Sequence, residues 1–236
     1  MTSQKHLIAK KSKSEASPKE KENILIFCAH PDDEILGAGG TIAKYSEDGK
    51  HVVSVIFSYG EQGSWWLKHN ISKEVRSKES LKAGKIVGTA ETFFLGLNDL
   101  ELKKQVHQKE VETKLKQLVK MYNPTKIFTH SKDDMIYSDH LAVYAVMVKI
   151  LKEMDYEGDL FTFNIWGKEL RSAENFKLFV DISKTFKYKI RALNQFKSQK
   201  LLVMWQLLPG IIWSAIVDGW INKCLFAEVF VKEDIK

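Results

Sequence analysis

Residues Ile24–Glu34 read ILIFCAHPDDE. The stretch opens on a continuous apolar run and ends, without a spacer, on His30, Pro31, Asp32, Asp33 and Glu34. A short apolar run of this kind is expected of a strand buried on both faces, as in a parallel sheet. Ile35–Tyr45 follows as a helix stopped near Gly49, and the Val- and Ile-rich His51–Phe57 (HVVSVIF) reads as a second strand. Charged side chains set between a buried strand and a helix are costly to bury unless something pairs with them.

The alternation continues outward. Ser72 is expected to cap a helix running to about Val87, with Gly88 as its stop. Thr92–Leu95 reads as a third strand, Glu110–Tyr122 as a helix, Lys126–Thr129 as a fourth strand after Pro124, and Asp139 to about Lys152 as a helix. Leu160–Ile165 and Lys177–Val180 read as strands, Ser183–Gln199 as a helix and Leu225–Val231 as a last strand. Strands alternating with helices imply parallel pairing and right-handed crossovers. The expectation is an α/β fold: a Rossmann-like, doubly wound, mostly parallel sheet with helices on both faces in a single domain. Ligands of such sheets bind beyond the carboxyl ends of the strands.

A chain of 236 residues with 44% hydrophobic residues suits one domain with a full core. Its formal charge is +6, which is read as solubility and weak attraction to anionic substrates or surfaces. No basic stripe interleaved with aromatics is visible, so nucleic acid is not an expected partner. Cys28 and Cys224 give no disulfide framework and no CxxC pair, which points to a reducing, cytoplasmic compartment. Residues 1–22 are polar and Lys-rich, with no apolar core of a secretory signal; they read as a disordered tail ahead of a domain spanning 23–236. Leu201–Val217 (LLVMWQLLPGIIWSAIV) is almost wholly apolar, short for a membrane span and divided by Pro209-Gly210. Core or homo-oligomer packing is the first reading; a hydrophobic lid or peripheral membrane contact is the alternative.

Clustered carboxylates repel one another unless a cation or a proton relieves them. At Asp32–Glu34 a divalent metal is the simplest relief, and His nitrogen with Asp oxygen suits zinc held by three protein ligands with one position open to water. His30 and Asp33 are the natural pair. The fourth strand ends in Thr129-His130 and leads through Asp133-Asp134 to Tyr137-Ser138-Asp139-His140, where His140, at a helix start, is the candidate third ligand. The plainer alternatives are a helix cap at Asp32 or Asp33 and a surface histidine at His140. Asp133 and Asp134 are expected as solvated loop charges, one of them an alternative orienter of a ligand. Trp65 and Trp66 are core residues or a sugar-stacking wall.

The AHPDDE motif at Ala29–Glu34, continued by Ile35–Ala43 (ILGAGGTIA), resembles the PIG-L/LmbE family of zinc-dependent deacetylases of N-acetylglucosaminyl compounds. Arg76 with Glu79, Leu95-Gly96-Leu97-Asn98-Asp99, Asp139-His140 and Ala227-Glu228 fit the same resemblance, as does Gly60-Glu61. It implies Zn2+ on His30, Asp33 and His140, Asp32 as the general base, and Arg76 and Asp99 facing the sugar hydroxyls. It implies removal of the N-acetyl group from an N-acetylglucosamine-type sugar, free, nucleotide-linked or lipid-linked. Tyr137 departs from the pattern, since many members carry a His there. A phenol is a neutral donor with a pKa near ~10, so Tyr137 or His130 is the candidate for the acid half of the reaction. The departure keeps two alternatives open: a catalytically weak zinc- and sugar-binding homologue, and a hydrolase of another amide or ester.

Overall fold

The computed structural model describes residues 22–63, 68–134, 138–165, 177–200 and 205–235. Residues 1–21, Trp65, Trp66 and Tyr137, on which some of the expectations above fall, lie outside the described residues. Seven strands form one sheet: β1 (Asn23–Cys28), β2 (His51–Ser58), β3 (Glu91–Leu97), β4 (Lys126–His130), β5 (Asp159–Phe163), β6 (Lys177–Asp181) and β7 (Ala227–Glu233). Their order is β3-β2-β1-β4-β5-β7-β6. The first five pair in parallel, and β7 runs antiparallel between β5 and β6. The helices are α1 (Asp33–Glu47), α2 (His69–Val87), α3 (Leu102–Gln105), α4 (Lys109–Tyr122), α5 (Ser138–Glu153), α6 (Phe186–Leu193) and α7 (Leu208–Ile221).

The strand alternation explains the two layers. Ile24, Ile26 and Cys28 of β1 pack with α1, α6 and α7 on one face. Leu25, Phe27 and Ala29 pack with α4 and α5 on the other. Every residue of the ILIFCA run is therefore buried, and each large side chain contributes roughly 1.5–3 kcal/mol of transfer free energy. The sheet grows from β1 through β2 to β3, then reverses so that β4 lies on the opposite side of β1. Such a reversal opens a crevice at the carboxyl ends of the two central strands. Both charged segments, after β1 and after β4, leave the sheet there.

A buried ion pair braces helix α1. Lys189 Nζ donates to the Leu36 carbonyl at 2.8 Å and to Glu228 Oε1 at 2.6 Å. The Glu228 carboxylate accepts the N–H groups of Gly40 and Thr41 at 3.0 and 2.7 Å. Side chains from α6 and β7 thus reach the backbone of α1 in its glycine-rich middle.

Three sequence readings change. Helix α2 begins at His69 rather than Ser72, whose N–H bonds the Lys68 carbonyl within the first turn. The helix expected over Ser183–Gln199 stops at Leu193 and resumes only as a single turn, Lys197–Gln199. A tertiary contact overrides propensity there: the Glu79 carboxylate accepts both the N–H and the hydroxyl of Ser198, at 3.0 and 2.6 Å. The core reading of Leu201–Val217 holds only in part over 205–217: Leu207 and Ala215 are buried in the core cluster, with Leu208, Ile211 and Ile212 packed against it. Within α7 only Ala215, Asp218 and Gly219 are buried, while Trp205, Trp213 and Ile216 face outward. A helix laid on one face of a sheet buries only the stripe turned toward it, and this run is apolar all round. Among the described residues no helix is long and apolar enough to cross a membrane.

Candidate metal centre and active site

Asp32 stands at the N-cap of α1 with φ 113° and ψ −31° and makes no side-chain cap hydrogen bond. The helix-cap alternative for Asp32 is thereby set aside. A non-glycine residue held in such backbone costs on the order of 1–3 kcal/mol and needs surroundings that fix it. Arg76 provides them. Its buried guanidinium donates through Nη2 to the Pro31 carbonyl at 2.8 Å and to Asp32 Oδ2 at 3.1 Å, and through Nη1 to the Gly60 carbonyl. Gly60 sits at φ 61°, and a Cβ there would collide with the guanidinium. Glu34 braces the same turn, accepting the Asp32 N–H at 3.1 Å and the Ser80 hydroxyl at 2.9 Å.

Donor atoms of His30, Asp33 and His140 all lie within 4.8 Å of one another, and all three residues are buried. Asp33 Oδ2 is 3.5 Å from His30 Nδ1 and 3.6 Å from His140 Nε2, and it accepts the His30 N–H at 2.8 Å. His140 Nδ1 is 2.8 Å from Asp134 Oδ2. The carboxylate holds the ring proton on Nδ1 and turns the Nε2 lone pair toward Asp33, the arrangement seen behind metal-bound histidines. Burial holds the His140 imidazole below its ordinary value, so the ring is in the neutral form a ligand needs. On the other side His30 Nε2 meets Asp99 Oδ1 at 3.0 Å and Asp139 Oδ2 at 3.5 Å.

The donor chemistry fits a divalent cation. Asp32, Asp33, Asp99, Asp134 and Asp139 are all buried here, an excess of carboxylate that repels itself without a counter-charge. Two imidazole nitrogens and one carboxylate oxygen make a set typical of catalytic zinc, with a coordination position left for water. Burial pushes the Asp32 carboxyl up to about 7, with Arg76 pulling the other way, and burial pushes Glu34 up to about 8.

A cleft of about 280 Å³ opens over this centre. Its floor holds His30, Asp32, Asp33 and His140, Arg76 and Asp99 line its side, and Leu36, Gln62, Leu100, Gln199 and Leu207 complete the wall. Six of the residues singled out in the sequence thus converge. His130 does not reach the cleft. It lies behind the centre, fully buried, with its ring stacked on His140 at 3.9 Å. Asp33 and Asp134 draw its imidazole toward the charged form, but the Ala29 N–H points at Nε2 from 3.0 Å and leaves no room there for a second proton. Asp134, expected in solvent, is fully buried, and only Asp133 is exposed. Glu79 does not pair with Arg76; it holds Ser198. Asp139, which with His140 fits the family's Asp-His motif, accepts the Leu100 N–H through Oδ2 at 2.8 Å.

The doubly wound α/β sheet brings buried His30, Asp33 and His140, which could hold a metal ion, to its topological switch point. Residues 25–151 match the family model described as PIG-L, GlcNAc-PI de-N-acetylase, and the chain belongs to that family of deacetylases. A Bacillus cereus protein named as a probable N-acetyl-α-D-glucosaminyl L-malate deacetylase is 26% identical over 76% of this chain and 84% of its own length. The structure of N,N'-diacetylchitobiose deacetylase from Pyrococcus horikoshii superposes with a TM-score of 0.77 at 21% identity, covering 92% of this chain and 85% of that one. That of 4-carboxy-2-hydroxymuconate hydratase from Pseudomonas putida gives 0.76 at 20% identity, covering 90% and 96%. At these identities the two structures share the fold.

Proposed function

We propose that this chain removes the acetyl group from the nitrogen of an N-acetylglucosamine-type sugar, with His30, Asp33 and His140 holding a zinc ion. The observation that carries the proposal is the convergence of these three ligands with the Arg76-clamped Asp32 on the floor of one cleft. A divalent cation bound there supplies Lewis-acid polarisation of a carbonyl oxygen and a water acidic enough to ionise near neutral pH. Asp32 is the base. Arg76 engages its Oδ2 and fixes the carboxylate so that it takes a proton from the attacking water. A carboxyl poised near neutrality accepts that proton and passes it to the departing sugar nitrogen, as general acid–base catalysis requires. The amide C–N bond breaks, acetate leaves, and the amine keeps the transferred proton. Asp99, lowered from its ordinary value by His30 despite burial, is the ionised acceptor for a sugar hydroxyl or for His30. His130 positions His140 rather than reacting, and Tyr137 is the proposed hydrogen-bond donor to the oxygen of the attacked carbonyl.

Acetate release from a panel of N-acetylglucosaminyl compounds tests this, with zinc-loaded wild type beside Asp32→Asn. Release by wild type that falls by at least roughly 10²-fold in the variant supports it. Undiminished release from a verified metal-free sample overturns the metal role. A second reading follows from the hydratase that shares the fold: water addition to an unsaturated acid on the same centre. Loss of ultraviolet absorbance from an unsaturated dicarboxylic acid, with no acetate from any sugar, favours it.

A further inference from the structure

From Ile182 to Val217 the chain contains no Asp or Glu, but it carries Lys184, Lys187, Lys189, Arg191, Lys197 and Lys200. Lys189 is spent inside on Glu228; the other five are exposed. Helix α7 has one charged residue, Asp218, and it is buried. Its outer stripe is Pro209, Trp213, Ile216 and Trp220, at helical spacing. Trp205 is 73% exposed, Trp213 61%, Trp220 82% and Leu225 74%. Contiguous apolar exposure on this scale marks an interaction surface.

The cationic segment and the apolar helix are tied to one another at their ends. At one end the Ser183 hydroxyl accepts the N–H groups of Leu225 and Phe226 at 3.1 and 3.2 Å, and Phe186 stacks on Phe226 with centroids 4.0 Å apart. At the other end Gln199 and Leu207 meet in the wall of the catalytic cleft. Between them Ala192, Leu193, Phe196, Leu207 and Ala215 share one apolar cluster. A tryptophan-bearing helix is thus tied at both ends to a segment whose exposed charges from Lys184 to Lys200 are all cationic, with the exposed Asp181 at its edge, and the cleft opens at the helix's amino-terminal end.

We propose that this face docks on an anionic lipid bilayer, with α7 in the plane of the interface and the lysines of 184–200 against the headgroup phosphates. Indole rings favour the boundary between apolar chains and water, and each Lys or Arg near an anionic surface adds about 1 kcal/mol, which is about fivefold in affinity. A second copy of this chain fits less well. A two-fold interface sets one patch against itself, so the five exposed cations of each copy would meet those of the other with only the exposed Asp181 to offset them. The docking surface stands independently of the reaction assigned to the cleft, and docking turns the cleft mouth toward the membrane.

Co-sedimentation of the full chain tests this, using vesicles of phosphatidylcholine alone and of phosphatidylcholine mixed equally with phosphatidylglycerol. Wild type is expected to sediment with the mixed vesicles, less so as salt rises. Replacing Trp213 and Trp220 by Ser weakens binding by roughly tenfold or more. Lys197→Gln with Lys200→Gln weakens it by about fivefold per lysine on mixed vesicles only. All four side chains are exposed, so neither pair of substitutions removes core packing. No sedimentation of wild type with mixed vesicles overturns the proposal, as does binding that neither pair of substitutions reduces. A dimer in sedimentation velocity that the Trp substitutions dissociate, together with no vesicle binding, assigns the face to a second copy instead and overturns it.

Discussion

The carboxylate of Asp134 lies 2.8 Å from His140 Nδ1 and is sealed from solvent. Replacing it with Asn keeps the shape but removes the charge that raises the basicity of the ring. Asp134→Asn is expected to weaken zinc binding by about 10–100-fold, measured by competition with a chromophoric chelator; an unchanged affinity would refute the positioning role. Gly60 acts one step further out. Gly60→Ala drives a Cβ into the Arg76 guanidinium and loosens the clamp on Asp32, while the three ligands stay in place. The expected result is a kcat lower by roughly tenfold or more with zinc affinity unchanged, read from steady-state acetate release and the same competition assay. His30, Asp32, Asp33 and His140 were legible in the sequence because buried charge beside a strand end demands an explanation. Asp134 was legible only as one of two candidate orienters beside Asp133, because loop carboxylates are ordinarily solvated and nothing local says which of them folds inward.

At the scale of elements, α1 shows what the alternation of strand and helix conceals. Its segment Gly37-Ala38-Gly39-Gly40 is poor in intrinsic helix propensity, and the Lys189–Glu228 pair adds side-chain hydrogen bonds to its backbone. Lys189→Met leaves the Glu228 carboxylate buried without its cation. Such a loss costs about 3–5 kcal/mol, so urea unfolding of the variant is expected to shift to markedly lower denaturant at an unchanged slope. A shift worth under about 1 kcal/mol would mean that water replaces the ammonium. Strands β1, β2 and β4 were readable because both their faces are buried, which makes them continuous apolar runs. The break between Leu193 and Lys197 was not, since it depends on Glu79, distant in sequence, reaching Ser198. Nor was the outward face of α7, because an apolar run alone does not say which of its sides the sheet covers.

The proposed ligand set is drawn from distant parts of the chain. His30 and Asp33 leave β1, His140 opens α5 after β4, and the sheet alone brings these distant parts of the sequence within 4.8 Å. An unfolded chain offers no such arrangement, so bound zinc stabilises the native state by about 2.7 kcal/mol at a hundredfold excess over Kd. For a chain of this size each kcal/mol moves Tm by roughly 2–4 °C, so zinc is expected to raise the Tm of chelator-treated protein by about 5–11 °C. His140→Ala should not respond. The paired measurement separates this centre from surface binding, because His69 and His107 are exposed and remain in the variant. An equal rise in both proteins would place the ion elsewhere. A rise confined to wild type would mean that the charge crowded at the switch point is relieved by the ion, and that the metal-free protein carries that repulsion as lost stability.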